Sequence, residues 1–211
     1  MIDTHCHLYS NETNAQESVA NAVAAGIQRI YLPAIDSTTT AKMLEVAKDY
    51  PNYCFAMMGL HPCSVKENYN EEIHHVAKLL SQMNFYAIGE IGLDFYWDKT
   101  FVEQQYIAFR KQMEFAEIHR LPAIIHSRNA TAETISVLNE YKERVSGIFH
   151  CFGGSLPEAQ QIIDCGYYLG IGGVITYKNS GLAEVVAQIP LKHLVLETDA
   201  PYLAPVPFRG K

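Results

Sequence analysis

Short apolar runs rich in β-branched residues alternate with longer amphipathic ones from one end of the chain to the other. The strand-like runs cover residues 1–8, 29–35, 53–60, 85–92, 122–126, 147–151, 167–172 and 194–198, each of a length and composition that suits a buried strand. Between them lie stretches with helical spacing at about 15–25, 39–49, 70–83, 101–119, 130–143, 157–165 and 182–188. Several of these are introduced by Asn, Thr or Ser, which cap helix N-termini. Gly26 and Gly166 follow two of them as helix stops.

Eight strands alternating with helices, each connection long enough for a right-handed crossover, predict an α/β fold of the (β/α)8 TIM-barrel kind spanning residues 1–211 as a single domain. A doubly wound open sheet is the runner-up. The barrel is preferred because residues that carry chemistry recur at the C-terminal end of nearly every strand, not at one switch point. Only seven helices follow the eight strands, so the barrel is expected without its final helix. Side-chain parity then turns Ile2, Leu194 and Leu196 outward on an uncovered face. That face implies either a shortened form of a longer chain or a neighbouring subunit lying over it.

Composition narrows the class. Hydrophobic residues make up 48% and charged residues 18% of the 211, with no break between segments, as in an ordinary globular domain. No apolar run reaches the ~18 residues of a membrane span, and the first strand-like run begins without a basic-then-apolar leader, so a cytoplasmic protein is expected. The five cysteines, Cys6, Cys54, Cys63, Cys151 and Cys165, show no CxxC spacing and are expected as reduced thiols in apolar positions. The formal charge of −7 argues against a broad basic nucleic-acid groove. It leaves room for a nucleic-acid substrate drawn to bound divalent cations.

Histidine placement carries the chemistry. Of nine, His5, His7, His61, His126 and His150 fall at or just past strand C-termini, the face on which barrel active sites form. His5 and His7, two apart on an extended segment, point the same way while Cys6 points the other. Glu90 sits within the otherwise apolar Ile88-Gly89-Glu90-Ile91-Gly92-Leu93-Asp94, and Asp199 ends the last strand after an apolar run. Such carboxylates are costly to bury without a cationic partner. His5, His7, Glu90, His126, His150 and Asp199 together form a six-ligand set from five strands, the ingredients of a two-metal hydrolytic centre. Two divalent cations are therefore expected, Zn2+, Mn2+ or Mg2+; the imidazole-rich set suits Zn2+, Mn2+ or Fe2+ better than Mg2+.

With these motifs assembled, the chain resembles the TatD-type metal-dependent deoxyribonucleases of the amidohydrolase-like barrel superfamily. The resemblance covers essentially the whole chain. It rests on Asp3-Thr4-His5-Cys6-His7-Leu8, Gly59-Leu60-His61-Pro62, Gly89-Glu90-Ile91-Gly92-Leu93-Asp94, His126-Ser127-Arg128, His150-Cys151-Phe152, and Glu197-Thr198-Asp199-Ala200-Pro201-Tyr202-Leu203 followed by Pro207-Phe208-Arg209-Gly210-Lys211. It implies that His5, His7, Glu90 and Asp199 hold one metal, and that Glu90, His126 and His150 hold the other. It makes Asp199 the general base as well as a ligand, places His61, Arg128 and Arg209 against phosphate oxygens, and brings Tyr202 to the substrate. The implied activity is hydrolysis of DNA phosphodiester bonds, from the 3′ end of single strands. The alternative is an amidohydrolase or lactonase for a small neutral substrate, against which Arg128, Arg209 and Lys211 speak; a non-catalytic binder would not need the two acids. Asn129 stands where the family commonly has Asp, which puts in doubt any ion pair that acid makes.

Overall fold

The computed structural model describes residues 1–209; Gly210 and Lys211, both part of the last motif, lie outside the described residues. Among the described residues eight parallel strands alternate with seven α-helices. The strands are β1 (Ile2–Asp3), β2 (Arg29–Leu32), β3 (Cys54–Ala56), β4 (Ile88–Asp94), β5 (Ala123–Arg128), β6 (Gly147–Phe149), β7 (Tyr167–Ile171) and β8 (Leu194–Leu196). The helices are α1 (Ala15–Ala24), α2 (Ser37–Asp49), α3 (Tyr69–Gln82), α4 (Val102–His119), α5 (Thr131–Glu140), α6 (Leu156–Asp164) and α7 (Leu182–Val186). Ladders run β1-β2-β3 and β4-β5-β6-β7-β8. Backbone bonds close both seams. Met58 N–H donates to Ala87 O (3.1 Å) and Gly89 N–H to Met58 O (2.9 Å), while Thr4 N–H donates to Leu196 O (3.1 Å) and Asp199 N–H to His5 O (2.9 Å). The ring is the expected (β/α)8 barrel.

Every expected strand and helix is present, and the differences lie at their ends. The strand at 1–8 pairs in regular fashion only over Ile2–Asp3; beyond it the Cys6 N–H still reaches Tyr31 O and the His7 N–H reaches Ala200 O, while the His5 N–H turns back to a side chain. Asp3 accepts from His5 N–H (3.2 Å), Thr198 N–H (3.0 Å) and Thr198 Oγ1 (2.6 Å), stitching β1 to the end of β8. Burial pushes its carboxyl up to about 6, with the Thr198 bonds pulling the other way. Helix α2 begins two residues before its expected start because Asp36 forms a capping box with Thr39. Helix α5 ends three residues early, before Glu143 takes a left-handed φ of 68°.

The core lies between the barrel wall and the helices. All of β4 is buried, and Ile88, Ile91 and Leu93 are fully enclosed together with Phe109 and Met113 of α4; burial of each such side chain contributes about 1.5–3 kcal/mol. Two buried glutamines of α4 tie the wall near its mouth. Gln105 bonds both backbone groups of Asp94 (2.9 and 3.1 Å), and Gln112 both of Leu60 (2.6 and 3.2 Å). As parity requires, Ile2 and Leu196 are exposed on the outside of the β8–β1 seam, with Leu194 half-buried. Among the described residues no helix is long and apolar enough to cross a membrane. All five cysteines are free, but only Cys6, Cys54 and Cys165 are buried. Cys63 and Cys151 instead line the cavity at the barrel mouth; at Cys151 a φ of 47° breaks the strand alternation that would have turned it away from His150, toward the helices.

Candidate metal centre

The C-terminal ends of the strands surround a cavity of about 690 Å³ lined by residues that include His7, His61, Glu90, His126, Arg128, His150, Asp199 and Tyr202. His5 lies beneath it, fully buried. Glu90, with a side chain only 3% exposed, stands at the centre. Its oxygens lie 3.1 Å from His5 Nε2, 3.7 Å from His7 Nε2, 3.4 Å from His61 Nε2, 2.8 Å from His126 Nδ1 and 3.8 Å from His150 Nε2. Asp199 Oδ1 completes the group, 3.4 Å from His7 Nε2, 3.7 Å from His5 Nε2 and 3.8 Å from His150 Nε2. The six residues expected as ligands are thus brought together. Four overlapping sets of donor atoms, each within 4.8 Å of one another, are His5–His7–Glu90, His5–His150–Asp199, His61–Glu90–His126 and His150–Cys151–Glu197.

Each ring's outer contact decides which nitrogen can serve a metal. Tyr9 OH donates to Pro33 O, so it can only accept from His7 Nδ1 at 3.1 Å; that places the His7 proton on Nδ1 and leaves the Nε2 lone pair facing the site. His5 Nε2 and His7 Nε2 face each other at 3.2 Å beside a Glu90 oxygen. Burial, with His150 beside it, lowers the His5 pKa, so the ring is neutral and its Nε2 can serve a cation once its proton is on Nδ1. The buried His5 Nδ1 has no partner. At His61 the logic reverses. Its Nδ1 accepts from Cys63 N–H at 3.0 Å and burial keeps the ring neutral, so its proton sits on Nε2. His61 is therefore a hydrogen-bond donor toward the cavity and not a neutral ligand.

Two carboxylates support the histidines from behind, and neither was singled out by sequence reasoning. Asp94 Oδ2 lies 2.9 Å from His126 Nε2, so His126 is held between Asp94 and Glu90. Burial opposes its protonation, but bonds to these two acids raise its pKa. Asp94 is in turn held below the usual carboxylate range: burial works against ionisation, and the His126 bond and the N–H groups of Tyr96 and Trp97 outweigh it. Glu197 Oε1 accepts from Cys151 N–H (2.7 Å) and lies 3.0 Å from His150 Nδ1, off the line of a well-directed bond. Burial again opposes protonation, yet the charges of Glu197 and Glu90 push His150 up to about 10. Such carboxylate–imidazole pairs orient metal-ligating histidines. Gly170 makes room for this one, since a Cβ there would stand 2.2 Å from Glu197 Oε2. Asp94 belonged to a quoted motif and Glu197 preceded Asp199, but a supporting role is visible only once the ring behind each acid is known.

Burial would raise both central carboxylates. For Glu90 the imidazoles of His61, His5 and His150 and the bond from His126 win and hold it well below its ordinary value; for Asp199 the His7 contact and the nearby His150 and His5 win. The donor set of imidazoles and ionised carboxylates therefore fits divalent cations. Arg128 stands on the rim and Tyr202 beside His7, ring centroids 5.8 Å apart. Arg209 does not join them. The turn closed by Phe208 N–H to Pro205 O carries its guanidinium over Tyr177, 4.3 Å from the ring centroid, away from the cavity lining. Asn129 is exposed with a φ of 53°, a left-handed conformation that Asn tolerates.

Similarity to known proteins agrees with this geometry. The chain is 37% identical over 215 residues to the metal-dependent hydrolase YabD of Bacillus subtilis, covering all of this chain and 84% of that protein. It is 31% identical over 216 residues to the 3'-5' ssDNA/RNA exonuclease TatD of Erwinia tasmaniensis, covering all of this chain and 83% of that protein. The crystal structure of YjjV, a TatD homologue from Escherichia coli, superposes with a TM-score of 0.92 at 33% identity over all of this chain and 83% of that one. The family described as TatD related DNase matches residues 2–211, and the chain belongs to it as a metal-dependent hydrolase.

Proposed function

We propose that residues 1–211 act as one domain that hydrolyses phosphodiester bonds of DNA, working from the 3′ end of single strands, with two divalent cations (Zn2+, Mn2+ or Mg2+). The observation that carries this reading is the convergence of His5, His7, Glu90, His126, His150 and Asp199 at the floor of one cavity with Arg128 on its rim. The exonuclease of Erwinia tasmaniensis, acting on single-stranded DNA and RNA by its name, supports the substrate class. His5, His7, Glu90 and Asp199 would hold one cation and Glu90, His126 and His150 the other. Cations bound there lower the pKa of water and offset charge on phosphoryl oxygens.

The remaining work falls to the chain's own groups. Asp199, ionised and facing the cavity, accepts the proton of the attacking water. His61 offers Nε2–H, and Arg128 a fixed positive charge, to phosphate oxygens whose charge grows as the bond to the leaving oxygen breaks. Tyr202 contacts the substrate from beside His7. A cavity at a barrel mouth admits a strand end more readily than the middle of a duplex.

The test is incubation of metal-loaded protein with end-labelled single- and double-stranded oligonucleotides, beside Glu90→Gln, His126→Ala and Asp199→Asn and a panel of lactones and amides. Stepwise shortening from the 3′ end, lost in all three variants while they stay folded, is expected. Lactone or amide turnover with intact DNA would overturn the reading.

A further inference from the structure

Directly after β4 the chain presents two aromatic side chains to solvent at the edge of the cavity. Trp97 is 68% exposed and Tyr96 51%, and Trp97 lines the cavity along with Glu90, Asp94 and His126. Large exposed aromatic surface is unfavourable in water unless something covers it. Here it is held in place with care. Asp94 Oδ1 accepts both the Tyr96 N–H (2.9 Å) and the Trp97 N–H (3.2 Å), while its other oxygen holds His126. The ledge and the metal centre therefore share one buried anchor, so their spacing is set. The two rings meet edge to face, centroids 4.8 Å apart and planes at 87°. The guanidinium of Arg128 lies 3.8 Å above the Tyr96 ring and 5.1 Å from that of Trp97. The cation thus sits closely over Tyr96 and more loosely over Trp97, whose indole keeps most of its surface in solvent.

We propose that Trp97, braced by Tyr96 and Arg128, is a stacking platform for a nucleobase of the strand whose phosphodiester bond lies over Glu90. This rests on the reading of the site as a phosphodiesterase and adds the substrate feature it selects. A planar π surface flanked by a cation suits the two parts of a nucleotide that every sequence shares, the face of the base and the charge of the phosphate. Because any base offers a π face, the platform tolerates sequence. A base still stacked within a duplex has no face to give, so single strands and frayed ends are selected. A saturated lactone or amide would gain nothing from it.

Trp97 is the sole tryptophan of the chain, so its fluorescence reports on the platform alone. Metal-loaded protein is titrated with a hydrolysis-resistant phosphorothioate oligothymidylate and with an abasic phosphorothioate chain of equal length and charge. Saturable quenching by the first and little by the second is expected. For the cleavable phosphodiester counterparts, Trp97→Ala should raise KM for the base-bearing strand about tenfold and collapse the KM ratio between base-bearing and abasic strands, with kcat moving little; Trp97→Phe should restore part of the ratio. Equal quenching by both chains, or an equal loss on both in Trp97→Ala, would overturn the platform while leaving the phosphodiesterase intact. If neither chain binds and neither is cut, both proposals fall.

Discussion

Glu197→Gln removes one charge from behind His150 while keeping the shape of the side chain. In the metal-free protein His150 is raised to about 10; burial opposes this, and the carboxylates of Glu197, at 3.0 Å, and Glu90 overcome it. In the unfolded chain a histidine titrates near about 6.5. Between those two values the folded state keeps a proton that the unfolded state has lost. The resulting stability is fully present below pH 6.5 and is lost as pH rises toward 10. Between pH 6.5 and pH 8 the loss from this one group is on the order of 1–2 kcal/mol. Glu197 is the first of the charges that hold the proton, so its neutralisation should lower the His150 pKa and flatten that decline, the more so the closer the pKa falls to its unfolded value. The assay is urea unfolding of the chelated wild type and Glu197→Gln at the two pH values, which cancels every group common to both proteins. An equally steep decline in the variant would show that Glu90 and Asp199 hold the His150 proton without Glu197.

Other perturbations separate the site from its scaffold. Metal loading at pH 7 should release about one proton from His150 and a further share from His126, whose pKa is also raised, because ligating imidazoles must be neutral; calorimetry in buffers of different ionisation enthalpy reads the number, and none released would contradict the assignment. Gln112→Ala leaves the backbone of Leu60 unpaired in the interior and should cost about 1–3 kcal/mol in urea unfolding; a neutral result would refute its role as a wall tie. Arg110→Ala breaks a half-exposed pair with Glu140 and should change stability by less than about 1 kcal/mol with hydrolysis intact, so a large loss of activity would mean the outer surface matters to the site.

The alternation of short and long apolar runs was enough to read the barrel because each strand is a separate local signal. His5, His7, Glu90, His126, His150 and Asp199 were legible for a related reason. His5, His7, His150 and Asp199 stand just past strand ends and Glu90 and His126 within β4 and β5, each following an apolar run or a strand-like start, and the fold turns all of them toward one face. What pattern alone did not reach depends on the third dimension. Asp94 and Glu197 look like ordinary strand-end acids until the rings they support are seen across the barrel, and the two buried glutamines of α4 resemble any polar helical residue. Cys151 escaped its expected burial through a single left-handed backbone angle, and Arg209 left the cavity through one tight turn. Neither a dihedral angle nor a turn direction shows in hydrophobic periodicity.

Whether His5, His7, Glu90, His126, His150 and Asp199 hold two divalent cations is read by anomalous diffraction from crystals equilibrated with Mn2+. Two peaks about 3.5–4 Å apart are expected, one among His5, His7 and Asp199 and one against His126 and His150, both beside Glu90. A single peak, or peaks away from Glu90, would contradict the two-cation site.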